Sequence, residues 1–355
     1  MEGIVIDAGS GTMKAGRAGE DAPDKIFPPV LGIPNGDNED ENCDEYFGDA
    51  VIEKRELFHV LNPISKGLVG DINVFSRVMQ HVYRELGKTS EEHPLLLTSH
   101  CLTKGKPRDK LAEVLFEQFN VPSLALPPSS LLNMYSSGRV SGISVDIGHE
   151  ATTVTPIYES FSYFDKIGKS SIAGAEINSQ LSKRLQIENL DFVQYIKENY
   201  CYVPLDYNVE LSVDPKTLSQ DIQIKNETQT IHQDRFIAPE ILFKPSLFGS
   251  SEKGIIDMIY DSLNQFSQNP DVSSFILLTG GSSELNGIAH RIENDLIKLN
   301  PRSPFRIVID PNAKYSNWIG GSIFGSLSSA VPYYITKSSF METGNHPFEF
   351  SLNSG

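Results

Sequence analysis

One pattern occurs twice in the chain and constrains its fold more than any other. Residues 3–19, GIVIDAGSGTMKAGRAG, come back in altered form at 142–154 as GISVDIGHEATTV. Each copy is a β-branched strand, an Asp, a Gly-rich turn and a second short strand, so each predicts a β-hairpin. Glycine at Gly9, Gly11 and Gly148 admits positive φ and lets backbone N–H groups approach a ligand. Successive N–H donors form a nest for anions such as phosphate, and Asp7 and Asp146 stand where they can hold waters around a divalent cation. Two such units about 140 residues apart predict a duplicated domain whose turns face one another across a cleft.

The 355 residues suffice for two domains, and alternating strand and helix signals predict an α/β architecture. Asp71 reads as an N-cap ahead of Ile72, Phe75, Met79, Val82 and Leu86 on one helical face. Leu95–Leu97 is a short buried strand. Leu111, Val114, Leu115 and Phe119 mark a second helix, and Ile288, Ile292, Leu296 and Leu299 a third that Pro301 stops. All of these read as core-facing stripes. Residues 35–45 are acidic and apolar-poor and predict a surface loop. Residues 205–233 read as a polar insertion with short exposed strands, and the tail after Phe340 is weakly patterned.

A net charge of −16 argues against sequence-independent binding to a nucleic-acid backbone, a local basic patch aside, and favours basic protein partners. Cys43, Cys101 and Cys201 contain no CxxC spacing, which argues against a disulfide framework or zinc site and fits a reducing compartment. No apolar run has the length of a signal peptide core or a membrane span, so the expectation is a soluble intracellular protein.

At this point several motifs, taken in order, resemble the actin and actin-related protein family. They are DAGSGTMKAG from Asp7, SEEHPLLLT from Ser90, FNVPSLAL from Phe119, MYSSGRVSG from Met134, IAGAEIN from Ile172 and IKENYCYV from Ile196. RFIAPEILFKPSLFG from Arg235, LLTGGSSELNGIAHRIENDL from Leu277 and KYSNWIGGSIFGSLSS from Lys314 complete the series. The resemblance implies a duplicated actin-like ATPase fold, α/β, with two lobes, four subdomains and a nucleotide in the central cleft. Residues 1–136 plus 315–355 would form the first lobe, with 28–62 inserted as a small subdomain. Residues 137–314 would form the second, with 174–250 inserted. The implied cofactors are ATP or ADP and Mg2+. Ser10, Gly11, Thr12 and Lys14 would contact phosphates, joined by Gly148 and His149 of the second loop. Asp7 and Asp146 would position the metal through water. Gly174 would lie near the ribose, and Lys197, Glu198, Gly280, Gly281 and Lys314 around the adenine and sugar.

The departures bear on mechanism. Where the family reads Asp-Ser-Gly-Asp-Gly, this chain has Asp146-Ile147-Gly148-His149-Glu150. His149 either donates to a phosphate when protonated or fills space, and Glu150 tolerates positive φ poorly, so an altered turn is expected. Ser129 stands where the family orients the attacking water with a glutamine, and Thr153 where it has a histidine. Triphosphate hydrolysis depends on in-line water and electrostatic stabilisation, so slow or absent hydrolysis is expected. Leu285 replaces an aromatic residue beside the base. The acidic loop, a shortened segment between Gly174 and Lys197 and an unusual tail weaken the expected filament contacts.

The expectation is an ATP-binding structural subunit of a larger cytoskeletal or motor-adaptor assembly in the cytoplasm. Its partners would be protein subunits, actin-family neighbours among them. The alternatives are a polymerising actin-like ATPase and a nuclear chromatin-remodelling subunit; the lack of a Lys/Arg run favours the cytoskeleton.

Overall fold

The computed structural model describes residues 2–36, 44–98, 106–224, 227–301 and 304–343. Cys43, Cys101, most of the acidic loop and the end of the polar tail lie outside the described residues. The chain divides into two compact units. The first is Met1–Ser141, Ile157–Asp165 and Tyr315–Gly355; the second is Gly142–Pro156 and Lys166–Lys314.

The first unit opens with strands β1 (Ile4–Ala8), β2 (Met13–Arg17) and β3 (Lys25–Phe27), joined as an antiparallel meander. Helix α1 (Ile72–Leu86) leads into β4 (Leu95–Leu97), and α2 (Lys106–Glu117) into β5 (Ser123–Ala125). A helix between strands returns the chain to the same sheet end, so β4 pairs parallel to β1, and β5 parallel to β4. Asp71 caps α1 by accepting from Asn73 N and Val74 N, and Phe75, Met79 and Val82 are fully buried against the sheet. Helix α3 (Ser129–Ser136) follows. Leu31–Pro34, Tyr46–Phe47 and Phe58–Leu61 make a small separate antiparallel sheet.

The second unit repeats the plan. Its strands are β6 (Gly142–Ile147), β7 (Thr152–Tyr158) and β8 (Gly168–Ser170). Helices α4 (Gly174–Leu185), α5 (Leu190–Tyr200) and α6 (Ile255–Gln265) precede β9 (Phe275–Thr279), and α7 (Ile288–Leu299) precedes β10 (Arg306–Ile309). The sheet order is β10-β9-β6-β7-β8, with β9 parallel to both β6 and β10. That matches β5-β4-β1-β2-β3, apart from the two-residue strand Phe161–Ser162, which also pairs with β7. The duplicated hairpin motif therefore marks a duplicated sheet.

Two expectations need correction. The stripe on α7 ends at Leu296, and Leu299, the last helical residue, is 49% exposed. In the 205–233 insertion, the Gln220–Ile224 and Glu227–Ile231 hairpin is not exposed on both faces, because Ile222 and Ile231 are buried.

Near the end of the described chain, α8 (Ser316–Ser326) and β11 (Ile335–Thr336) belong to the first unit. β11 pairs antiparallel with β5. Trp318 on α8 is fully buried and donates its indole N–H to Val5 O at 3.1 Å, meeting the requirement that a buried indole find an acceptor. Helix α8 crosses α3 so closely that a Cβ at Gly320 would lie 1.8 Å from Leu132 O. Alanine in an open helix would gain up to about 1 kcal/mol over glycine. Here Gly320→Ala should instead destabilise by about 3 kcal/mol through overpacking; urea unfolding that shows any stabilisation contradicts the close crossing.

Candidate functional site

In the first unit, β1 and β2 are in register Asp7↔Lys14 and Ala8↔Met13, leaving Gly9–Thr12 as the turn. Cross-strand neighbours share a face, so the Asp7 and Lys14 side chains meet at 2.8 Å. Both are buried. The other Asp7 oxygen accepts from Thr98 Oγ1 at 2.7 Å, and the same hydroxyl accepts from Ala8 N at 3.3 Å. Thr98 arrives there because it follows β4, which pairs Leu97 with Ile6. At the tip, Asn62 Nδ2 donates to Ser10 O at 3.0 Å.

Among the described residues, none accepts a hydrogen bond from the backbone N–H groups of Gly9, Ser10, Gly11 or Thr12. Four consecutive unpaired donors beside a buried ammonium suit the oxygens of a polyphosphate. Asp7 retains lone pairs for metal-bound water, since a carboxylate offers about four acceptor positions. The loop achieves this without left-handed residues: neither Gly9 nor Gly11 has positive φ. Gly9 is needed for clearance, because a Cβ there would lie 2.8 Å from Thr12 O.

The second unit's turn is built differently. Gly148 N donates to Ala151 O at 3.0 Å, closing the turn on itself. Gly148 O accepts from Gly174 N at 3.1 Å and from Ser282 Oγ at 3.2 Å, and His149 O accepts from Ala175 N at 2.6 Å. The turn carbonyls thereby cap α4, whose N-cap residue supplies no side-chain bond. Gly148, His149 and Glu150 all avoid positive φ, so Glu150 sits in the turn without the strain of a left-handed backbone.

Around this turn the second unit gathers most of its predicted residues. Gly174 is hemmed in: a Cβ there would lie 2.6 Å from Ser282 Oγ and 3.2 Å from Lys197 Nζ. Gly280, with φ +81, passes so close to the second hairpin that a Cβ would lie 2.5 Å from Asp146 Oδ1. A Cβ on Gly281 would touch the Lys314 side chain at 3.8 Å, and Lys314 N donates to Glu284 Oε1. Lys197 Nζ donates to Gln194 Oε1 at 2.8 Å and to Gly174 O at 3.4 Å, while Gln194 Nε2 holds Glu198. Glu198 is exposed and Leu285 is buried. Hydroxyl, ammonium, carboxylate and close-approach glycines in one place suit a nucleoside's sugar and base edges.

Burial and the Lys197 charge hold the His149 imidazole below its ordinary pKa, against an opposing pull from Glu150. That direction favours the neutral imidazole. Burial, reinforced by Lys314, brings Lys197 down to about 8. Burial pushes the free Cys201 thiol up to about 12, leaving it unreactive.

The water-positioning candidates are both buried: Ser129 opens α3 in the first unit, and Thr153 lies in β7 of the second, paired with Lys169. Among the described residues, no group of three His, Cys, Asp or Glu could hold a metal directly. Thr98, Asn62, Ser282 and Gln194 escaped the sequence reading. Thr98 alone had a signal, as the first polar residue at the carboxyl end of a buried parallel strand, where such sheets bind ligands.

Set beside known families, the chain matches the family model described as Actin over residues 1–196 and again over 186–349. It belongs to the actin family.

The Lys197 shift has a measurable consequence. The unfolded chain holds its proton up to about 10.5 whereas the folded one releases it near 8. Unfolding therefore takes up a proton in that window, and this group makes stability rise with pH. Wild-type protein should gain about 2 kcal/mol relative to Lys197→Met between pH 8 and pH 10. Parallel urea-unfolding profiles for the two proteins would refute the burial of that charge.

Proposed function

We propose that this member of the actin family is a structural subunit that binds ATP or ADP with Mg2+ and hydrolyses ATP slowly or not at all. The observation that carries the reading is the row of four unpaired N–H groups at Gly9–Thr12, flanked by the buried Asp7–Lys14 pair. Ser10, Gly11, Thr12 and Lys14 would bind phosphate oxygens, with Gly148 and His149 adding contacts from the second loop. Asp7 and Asp146 would hold metal-bound waters. Gly174, Lys197, Glu198, Gly280, Gly281 and Lys314 would hold the sugar and base. The bound metal would neutralise phosphate charge. Ligand binding to the folded state alone stabilises it by linkage, about 2.7 kcal/mol at a hundredfold excess over Kd.

Weak hydrolysis follows from side-chain reach. The Ser129 hydroxyl sits one bond from its Cβ and falls short of where a glutamine amide would orient water. Thr153 has no imidazole with which to relay a proton. The net charge of −16 and the acidic 35–45 stretch support assembly with other protein subunits over hydrophobic filament growth. A cytoskeletal or motor-adaptor assembly in the cytoplasm is the setting we favour. Retention of Asp7, Lys14 and Asp146 keeps a polymerising ATPase as the second reading.

Mg-ATP should raise the melting temperature, and single-turnover hydrolysis should be slower than that of an ordinary actin; no thermal shift sinks the nucleotide reading, and actin-like turnover sinks the slow-ATPase part. Purified protein in Mg2+ and salt should give no long filaments by light scattering or microscopy, and filaments would favour the second reading.

A further inference from the structure

Hydrogen bonding at the first turn assigns work to a residue outside it. Asn62 follows the strand Phe58–Leu61 of the small sheet. Its amide is doubly used: Oδ1 accepts from Ile64 N at 2.9 Å, and Nδ2 donates to Ser10 O at 3.0 Å. The orientation is chemically forced, because a backbone N–H needs an acceptor and a carbonyl needs a donor. Ile64 is itself 1% exposed in the first unit's core, so the amide is tethered to a rigid part of the fold.

A peptide group is planar and trans, so the Ser10 carbonyl and the Gly11 N–H point in opposite directions. Fixing one fixes the other. With Ser10 O turned onto Asn62, the Gly11 N–H is directed away from Asn62 and stays free, as do its neighbours in the turn. Gly11 has no Cβ to resist rotation of this peptide. Were it to flip, a carbonyl dipole would replace a donor in the anion nest, exchanging attraction for repulsion. Thr98 fixes the base of the loop in the same way, through Ala8 N and Asp7 Oδ1. Nothing in the turn itself fixes the tip.

The geometry points to Asn62 as the positioning residue of the anion-binding loop, holding the Ser10–Gly11 peptide so that the Gly11 N–H faces a phosphate oxygen. This rests on the nucleotide reading above and deepens it: the small sheet and the phosphate loop share one hydrogen bond, so anything that moves Asn62 changes phosphate affinity.

The experiment uses two variants of the full chain. Asn62→Asp keeps the acceptor for Ile64 N and loses the donor, but adds a charge. Asn62→Leu adds no charge but loses both bonds. Binding of Mg-ATP, pyrophosphate and adenosine is measured by calorimetry, with the Gly11 amide followed by NMR in glycine-labelled protein. Both variants should bind Mg-ATP and pyrophosphate at least tenfold more weakly than wild type while binding adenosine equally well. Their Gly11 amide resonance should split or broaden before any ligand is added. Unchanged phosphate affinity, or an equal loss for adenosine, overturns the assignment. A wild-type protein that binds pyrophosphate but not Mg-ATP would sink the nucleotide reading, and the pyrophosphate arm would then still decide the role of Asn62. Wild-type protein that binds neither overturns both.

Discussion

A buried carboxylate needs its charge answered, and the first unit is arranged around answering that of Asp7. Lys14 meets one oxygen across the hairpin and Thr98 meets the other from the neighbouring parallel strand. Removing Lys14 would leave an uncompensated charge in the interior, a loss on the order of 3–5 kcal/mol for a buried pair. The pair thus fixes three strands at one end of the sheet, and the turn that begins at Gly9 inherits its position from them. In the proposed reading, phosphate binding and stability are carried by the same atoms. An incoming anion would meet an ammonium already oriented, with no need to recruit one from solvent.

The two hairpins share topology and differ in how their polar groups are satisfied. The first turn leaves its N–H groups unpaired, whereas the second uses its carbonyls to cap helix α4 and takes a further bond from Ser282. An unpaired donor stores binding capacity, and a paired one supports the fold. Duplication supplied two equal scaffolds, and the side chains have since drawn different uses from them.

Much of this was legible in the sequence because its signals are short-range. The strand–Asp–turn repeat, the Asp71 cap and the apolar stripe of α1 each lie within a few residues, where helix and strand periods operate. The family resemblance supplied the candidate ligand residues in both units. What escaped was set by partners far along the chain. Thr98 lies 91 residues from Asp7, and Asn62 lies 52 from Ser10; only the register of a parallel pair or the return of a separate sheet brings them close. The glycines were assigned the wrong reason for the same cause. Gly9 and Gly148 look like positive-φ positions and are not; a Cβ on Gly9 would collide with a carbonyl of its own turn, and one on Gly148 would crowd it. That fact exists only once the turn has closed.

The position of Trp318 has a practical corollary. It is the chain's single tryptophan, and its indole is sealed against the backbone of the first strand. Emission excited at the red edge of protein absorbance therefore comes from one place in one unit. Its wavelength tracks the dissolution of that unit's sheet and is blind to the other's, so a spectroscopic transition that disagrees with circular dichroism would expose the two halves melting separately.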